Sequence, residues 1–284
     1  MLAGTASLFA LLGGIGRRHL VVVGGLVPPL LALDRAGDHV GSADIDVCLS
    51  VAFTEGRTAL YRSIEEKISP YFVPSEHTAF RWEKKIEAPG LPLVIDFLAP
   101  DDASTPVADG TRPISDDTAA ANLGLRLRPH PIRAGDLVDA DSVLTTIRAV
   151  DLVYQPGRAD IEVLHAGPVG FLGAKADALE SRGPTPDGTK DGYDITWWCL
   201  NAAATPEAAA RLVVERDAFR HPKFQESVAQ LKNGFAERDY PGPTGYAVEH
   251  TGLDEGDDEF EQARNASFLA VNGMLEVLQR ELWP

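Results

Sequence analysis

The sequence predicts an α+β protein, with a mixed α/β domain over residues 1–166 and a helical domain over residues 167–284. Two patterns carry this. Before residue 166, short apolar and β-branched runs recur between glycine, proline and acidic turns, the signature of strands. From Pro168 to Trp283 the apolar residues recur at helical spacing instead. At 44% hydrophobic and 24% charged residues the chain is globular in composition, and 284 residues suffice for two ordinary domains.

The first stretch, "MLAGTASLFALLGGIG", is apolar like the core of a signal peptide, but the basic pair Arg17–Arg18 follows it instead of preceding it. It is too short to span a bilayer and reads as a buried first helix. "HLVVVGG" (19–25) reads as a buried strand ending in a glycine pair, and "LVPPLLALDRAG" (26–37) as a short helix with Pro28 and Pro29 in its first turn. The strand "VGSADIDVCLS" (40–50) comes next, then a helix over about 55–69. "AFRWEKKI" (79–86) and "LPLVIDFLAP" (91–100) alternate on either side of "EAPG" and read as a hairpin. Residues 101–142 show weak periodicity and read as a surface insertion with a short helix near 117–123. "AVDLVYQPGRADIEVLH" (149–165) reads as a second hairpin across Pro156–Gly157. Three runs, 182–189, 240–245 and 254–261, interrupt the helical pattern that follows.

Composition narrows the function. A net charge of −16 opposes broad, non-specific nucleic-acid binding, so a nucleic-acid substrate needs a local basic path or a bound cation. The two cysteines, Cys48 and Cys199, lie far apart in apolar runs, with neither zinc spacing nor a disulfide framework, which fits a reducing cytoplasm, and the overall composition predicts no membrane partner. No G-x-x-x-x-G-K-[ST], H-E-x-x-H or G-x-S-x-G occurs, and "GGIG" (13–16) lacks the third glycine of a dinucleotide fingerprint.

The residues that carry chemistry begin with Asp44 and Asp46. On a strand they point to the same face, roughly 6 to 7 Å apart, and two such charges beside apolar residues need a positive partner. Asp96 interrupts an otherwise apolar strand, where a lone carboxylate is costly. If the two strands are neighbours, the three acids converge and suit Mg²⁺, a hard cation that takes a few carboxylates plus phosphate oxygens. The plain alternative is three strand-end aspartates against water or a lysine. Ser42 either donates to a phosphate or simply opens the strand. His39, just before the aspartate strand, reads as a turn residue. Further on, "KADALESR" (175–182) places Lys175, Leu179 and Arg182 on one helical face, and "KDGYD" (190–194) does the same for Asp191 and Asp194. As isolated patterns these read as amphipathic helices with surface salt bridges.

An apolar strand ending in Gly24–Gly25, a helix, "GSADID" and an aspartate in a later strand together resemble the DNA polymerase β-like nucleotidyltransferase superfamily. K-x-x-A-L-x-x-R followed by K-D-x-Y-D further resembles the AbiEii-type nucleotidyltransferases, the toxin components of abortive-infection and related toxin–antitoxin systems. The resemblance implies a mixed sheet with flanking helices and a C-terminal helical domain completing a cleft. It implies that Gly24, Gly25 and Ser42 face the nucleoside triphosphate, and that Asp44, Asp46 and Asp96 hold two Mg²⁺. Lys175 would then touch the phosphates, Asp194 would position the attacking hydroxyl, and Arg182 and Asp191 would support that helix pair. The implied partners are a nucleoside triphosphate, a hydroxyl acceptor such as tRNA, and an antitoxin protein. Two rivals stay open: transfer to a small cationic acceptor such as an aminoglycoside-like amino sugar, which the acidic charge favours, and a degenerate member that binds nucleotide or a partner without catalysis.

Overall fold

The computed structural model describes residues 2–42, 44–49, 58–85, 94–101, 126–152 and 157–283. The expected turn at 87–90, the helix at 117–123 and Pro156 lie outside these residues. Among the described residues eight strands form one sheet: β1 (Leu20–Val23), β2 (Asp44–Leu49), β3 (Phe72–Pro74), β4 (Arg81–Lys84), β5 (Val94–Pro100), β6 (His130–Ile132), β7 (Ser142–Asp151) and β8 (Arg158–Ala166). Their order is β3-β4-β5-β2-β1-β8-β7, with β6 paired to β5. β2 is parallel to β5 and antiparallel to β1, while β4 is antiparallel to β5, so the sheet is mixed and the fold is α+β.

The chain divides into two compact units, one of residues 1–26 and 42–165, the other of residues 27–41 and 166–284. The first holds the sheet. All four residues of β1 are buried, as a continuous β-branched run requires of a strand covered on both faces. Helix α1 (Leu2–Leu12) is the buried first helix its composition predicts, with Ala6, Leu8, Phe9 and Leu12 in the core. After the short α2 (Gly14–His19), the glycine pair forms a 3₁₀ turn, Gly24–Leu26. Beyond α3 (Val27–Leu31), which belongs to the second unit, α4 (Thr58–Ile68) buries Tyr61, Ile64 and Ile68, spaced three and four apart on one face. The strands β3 and β6 and the helix α5 (Gly135–Ala140) are each too short to impose a period on the sequence. α5 packs so closely over the end of β5 that a Cβ on Gly135 would lie 2.3 Å from the Pro100 Cα.

The second unit comprises α3, a 3₁₀ stretch Leu33–Asp38, and α6 (Pro168–Arg182), α7 (Pro186–Asn201), α8 (Pro206–Val214), α9 (Pro222–Gly234), α10 (Pro241–Thr251) and α11 (Asp258–Leu282). The three expected interruptions are largely helix starts. Thr185 caps α7 by accepting from the Gly188 N–H, and Pro186 follows in the first turn. Pro241 opens α10 in the same way. The acidic run supplies the first turn of α11 with Asp258, Glu259 and Glu261, where negative charge meets the positive end of the helix dipole. No helix among the described residues is long and apolar enough to cross a membrane.

Helices α7 and α10 cross at glycines. A Cβ on Gly192 would lie 2.5 Å from the Gly242 carbonyl oxygen, and one on Gly245 would lie 2.3 Å from that of Thr189. The middle residue of "KDGYD" therefore serves backbone approach. On an unobstructed helix, replacing glycine by alanine gains up to about 1 kcal/mol. At Gly192 the clash reverses the sign: Gly192→Ala is expected to lower stability by about 1 to 3 kcal/mol, an overpacking cost, measured by urea unfolding.

Candidate functional site

Register builds the first cluster. Val23 of β1 stands opposite Asp46 of β2, Asp46 opposite Asp96 of β5, and Asp96 opposite Arg81 of β4. Residues in register share a sheet face, and Asp44, two residues before Asp46, shares it too. The three carboxylates each offer an oxygen within 4.8 Å of the others. Asp44 and Asp46 are half-buried and Asp96 is buried. Ser42 donates to Asp44 Oδ1 at 2.5 Å and so fixes the first carboxylate.

Gly24 makes room for the second carboxylate. Its φ is +70°, in the left-handed region, and a Cβ there would lie 2.0 Å from Asp46 Oδ2. The glycine of the "GG" turn thus permits the position of an acid in "GSADID", while Gly25 is buried in the same turn. Three oxygens so placed, on a donor set made only of carboxylates, fit a hard divalent cation.

A positive partner among the described residues is Arg81, which the sequence patterns do not single out. Its Nε donates to Asp96 Oδ1 at 2.8 Å and its Nη2 to Asp96 Oδ2 at 2.7 Å, a two-pronged pair. Nη2 also lies 3.8 Å from Asp44 Oδ2. The hydrogen bond to Asp96, foremost among several causes, holds the guanidinium even more firmly protonated than usual.

The second cluster lies wholly in the second unit. Lys175 Nζ donates to Asp191 Oδ1 at 2.7 Å and forms an ion pair with Asp194 Oδ2 at 2.6 Å. Arg182 Nη1 donates to Asp191 Oδ2 at 3.0 Å. His39 completes the chain: its Nε2 lies 3.0 Å from Asp194 Oδ1, while its Nδ1 accepts the Gly41 N–H at 2.9 Å. An accepting Nδ1 leaves Nε2 as the ring nitrogen that donates to Asp194. Tyr193 holds the same turn, its hydroxyl accepting the Val40 N–H at 3.1 Å.

These positions correct the surface-salt-bridge expectation. Lys175 is only 6% exposed, and Asp191 and Asp194 are 1% and 0% exposed. α6 is apolar all round at its start, with every residue from Pro168 to Gly173 buried, so its lysine points into packed protein. Burial works against charge on both partners of the central pair. The carboxylates nonetheless hold the Lys175 ammonium above its ordinary pKa, and Lys175 with His39 holds Asp194 below its own. His39, expected as a turn residue, is one, and it is also a buried partner of Asp194. Neither cysteine is poised as a nucleophile: burial pushes the Cys199 thiol up to about 12 and Cys48 higher still.

Compared with known proteins, the chain matches no family model and no curated protein.

Removing one partner of a buried ion pair leaves its counter-charge stranded. Lys175→Met is therefore expected to cost about 3 to 5 kcal/mol in chemical denaturation, where a surface lysine would cost less than about 0.5 kcal/mol. The pH dependence follows from the two shifts. The depressed Asp194 stabilises the fold above the ordinary carboxylate range, and that contribution is lost as pH falls through it; the raised Lys175 stabilises below about pH 10 and loses this as pH rises further. The gap between parent and variant should hold across pH 5 to 9 and narrow below about pH 4.

Proposed function

We propose that the chain is a Mg²⁺-dependent nucleotidyltransferase of the polymerase β-like kind, moving a nucleoside monophosphate from a triphosphate to a hydroxyl acceptor. The observation that carries this is the convergence of Asp44, Asp46 and Asp96 within 4.8 Å on one sheet face, beside a glycine turn whose missing Cβ admits the Asp46 carboxylate. Divalent ions bound there would neutralise charge on the triphosphate and on the attacking and leaving oxygens. The chain's own residues position the groups: Ser42 fixes Asp44, Gly24 makes space for Asp46, and Arg81 orients Asp96. Little covalent work falls to the protein in such a transfer; alignment and charge stabilisation do most of it.

In the second unit, Asp194 is the residue proposed to position the acceptor hydroxyl, held by Lys175 and His39. Any contact of Lys175 with phosphate would be made by an ammonium already met by two carboxylates. For the acceptor, the AbiEii resemblance supports tRNA, with an antitoxin as protein partner. The net charge of −16 supports a small cationic acceptor instead, because opposite charges speed encounter. The non-catalytic reading draws support from Arg81, which already answers the charge of Asp96.

The purified chain, incubated with Mg²⁺ and each labelled nucleoside triphosphate in turn, is expected to label either total tRNA or an aminoglycoside. Asp46→Asn should lower that transfer about a thousandfold, the several kcal/mol a divalent ion contributes. The same variant should lose the rise in melting temperature that Mg²⁺ with nucleotide gives the parent. A parent that shows neither transfer nor a Mg²⁺-dependent shift with any triphosphate would leave the non-catalytic reading in place.

A further inference from the structure

We propose that His39 is a positioning residue for Asp44: through it, α7 grips the turn that opens β2 and so sets the first of the three carboxylates. This rests on the metal-binding reading above and adds to it what holds one of the ligands in place.

The grip runs along consecutive residues. Trp197 Nε1 donates to the Asp38 carbonyl at 3.3 Å, His39 Nε2 meets Asp194 Oδ1 at 3.0 Å, and the Val40 N–H donates to the Tyr193 hydroxyl at 3.1 Å. Gly41 follows, giving its N–H to His39 Nδ1 at 2.9 Å. Tyr193, Asp194 and Trp197 lie within little more than one turn of α7, and all three are buried. The His39 ring packs against both aromatics, tilted to Tyr193 at 5.1 Å and edge-on to Trp197 at 4.8 Å between ring centres. With both ring nitrogens bonded inside this unit, His39 has no lone pair left for a substrate. What it holds is backbone.

That backbone leads directly to Asp44. Gly41 has a φ of +83°, in the left-handed region that side chains disfavour, and the His39 ring fixes its N–H in that conformation. The next residue is Ser42, whose hydroxyl donates to Asp44 Oδ1 at 2.5 Å. Residues 38–41 and α7 belong to the second unit, and Ser42 and Asp44 to the first, so the link argued here is the covalent one from Gly41 to Ser42. A turn released from α7 would let the Gly41–Ser42 peptide swing and draw the hydroxyl off Asp44. Losing a group that orients a metal ligand typically weakens metal binding about 10- to 100-fold. Arg81 steadies Asp96 and Gly24 admits Asp46; His39 serves Asp44.

The test is a double-substitution cycle on the full chain, read as Mn²⁺ affinity from the electron paramagnetic resonance signal of the free ion. Ser42→Ala and His39→Ala should each weaken binding about tenfold, the low end for groups that orient metal ligands. The double variant should also be weaker by only about tenfold, because both changes act on one path to Asp44. A double variant weaker by about a hundredfold, the product of independent effects, would overturn the proposal. So would a His39→Ala protein that is folded by circular dichroism and binds Mn²⁺ as the parent does. His39→Asn accepts the Gly41 N–H but is too short to reach Asp194, and it replaces His39→Ala should that variant not fold. It should bind as weakly as His39→Ala; parent-like binding would show the tie to α7 to be idle and sink the idea. Gly245→Ala crowds α10 against the Thr189 carbonyl without touching the turn, and it should lower stability while leaving Mn²⁺ affinity unchanged. An equal loss of affinity there would reduce the effect of His39 to general destabilisation. A parent that binds no Mn²⁺ at millimolar concentration overturns the metal reading itself, a different result from a parent that binds without this coupling.

Discussion

Like charges on one sheet face must be compensated, and here strand register supplies the compensation. Asp46, Asp96 and Arg81 stand side by side across β2, β5 and β4. A slip of one residue in any of these strands would turn its charged side chain to the other face. The opposite face forbids that slip. Ile45 and Val47 of β2, Ile95 and Phe97 of β5, and Trp82 of β4 are all fully buried there. Exchanging them with the charged set would place three carboxylates and a guanidinium in the core. The apolar packing of one face therefore fixes the geometry of the other, and the site is as rigid as the core behind it.

The second unit meets the same constraint in a different way. Asp191 and Asp194, one helical turn apart, are removed from water almost completely and share Lys175 between them. Arg182 closes one end of the row and His39 the other. The sheet cluster keeps two of its carboxylates half-exposed, open to a ligand, whereas the carboxylates of this row are buried against Lys175, Arg182 and His39.

Much of this was legible in the residues. Period-two alternation put Asp44 and Asp46 on one face, and Asp96 stood out in an apolar strand because a carboxylate there demands a reason. Arg81 was legible only through register. The β4–β5 pairs are centred on residues 87–90, and counting outward from that centre leads from Asp96 to Arg81. The burial of Lys175 was not legible from its motif, since lysine and arginine at helical spacing look the same on a surface helix and an interior one. The apolar residues surrounding it on α6 were the better guide. β3, β6 and α5 left no usable pattern because three to six residues do not establish a period.

The path of the chain between its two units has a consequence for how the protein is made. Residues 27–41 leave the first unit and return to it, yet their packing partners are in the C-terminal half. His39 waits for Asp194, 155 residues later, and the Val40 N–H waits for the Tyr193 hydroxyl, 153 residues later. On a ribosome adding 5 to 20 residues per second, that delay is roughly 8 to 30 s. During it, the contacts of α3 with α7 and the bonds of the turn before "GSADID" to Asp194 and Tyr193 cannot form, and the strand carrying two aspartates is attached directly to that unfinished turn. No single cut in the chain separates the two units. The nascent chain thus has an intermediate in which the sheet can assemble while one of its connections is unfinished, and synthesis of the last helices completes a segment begun near residue 27.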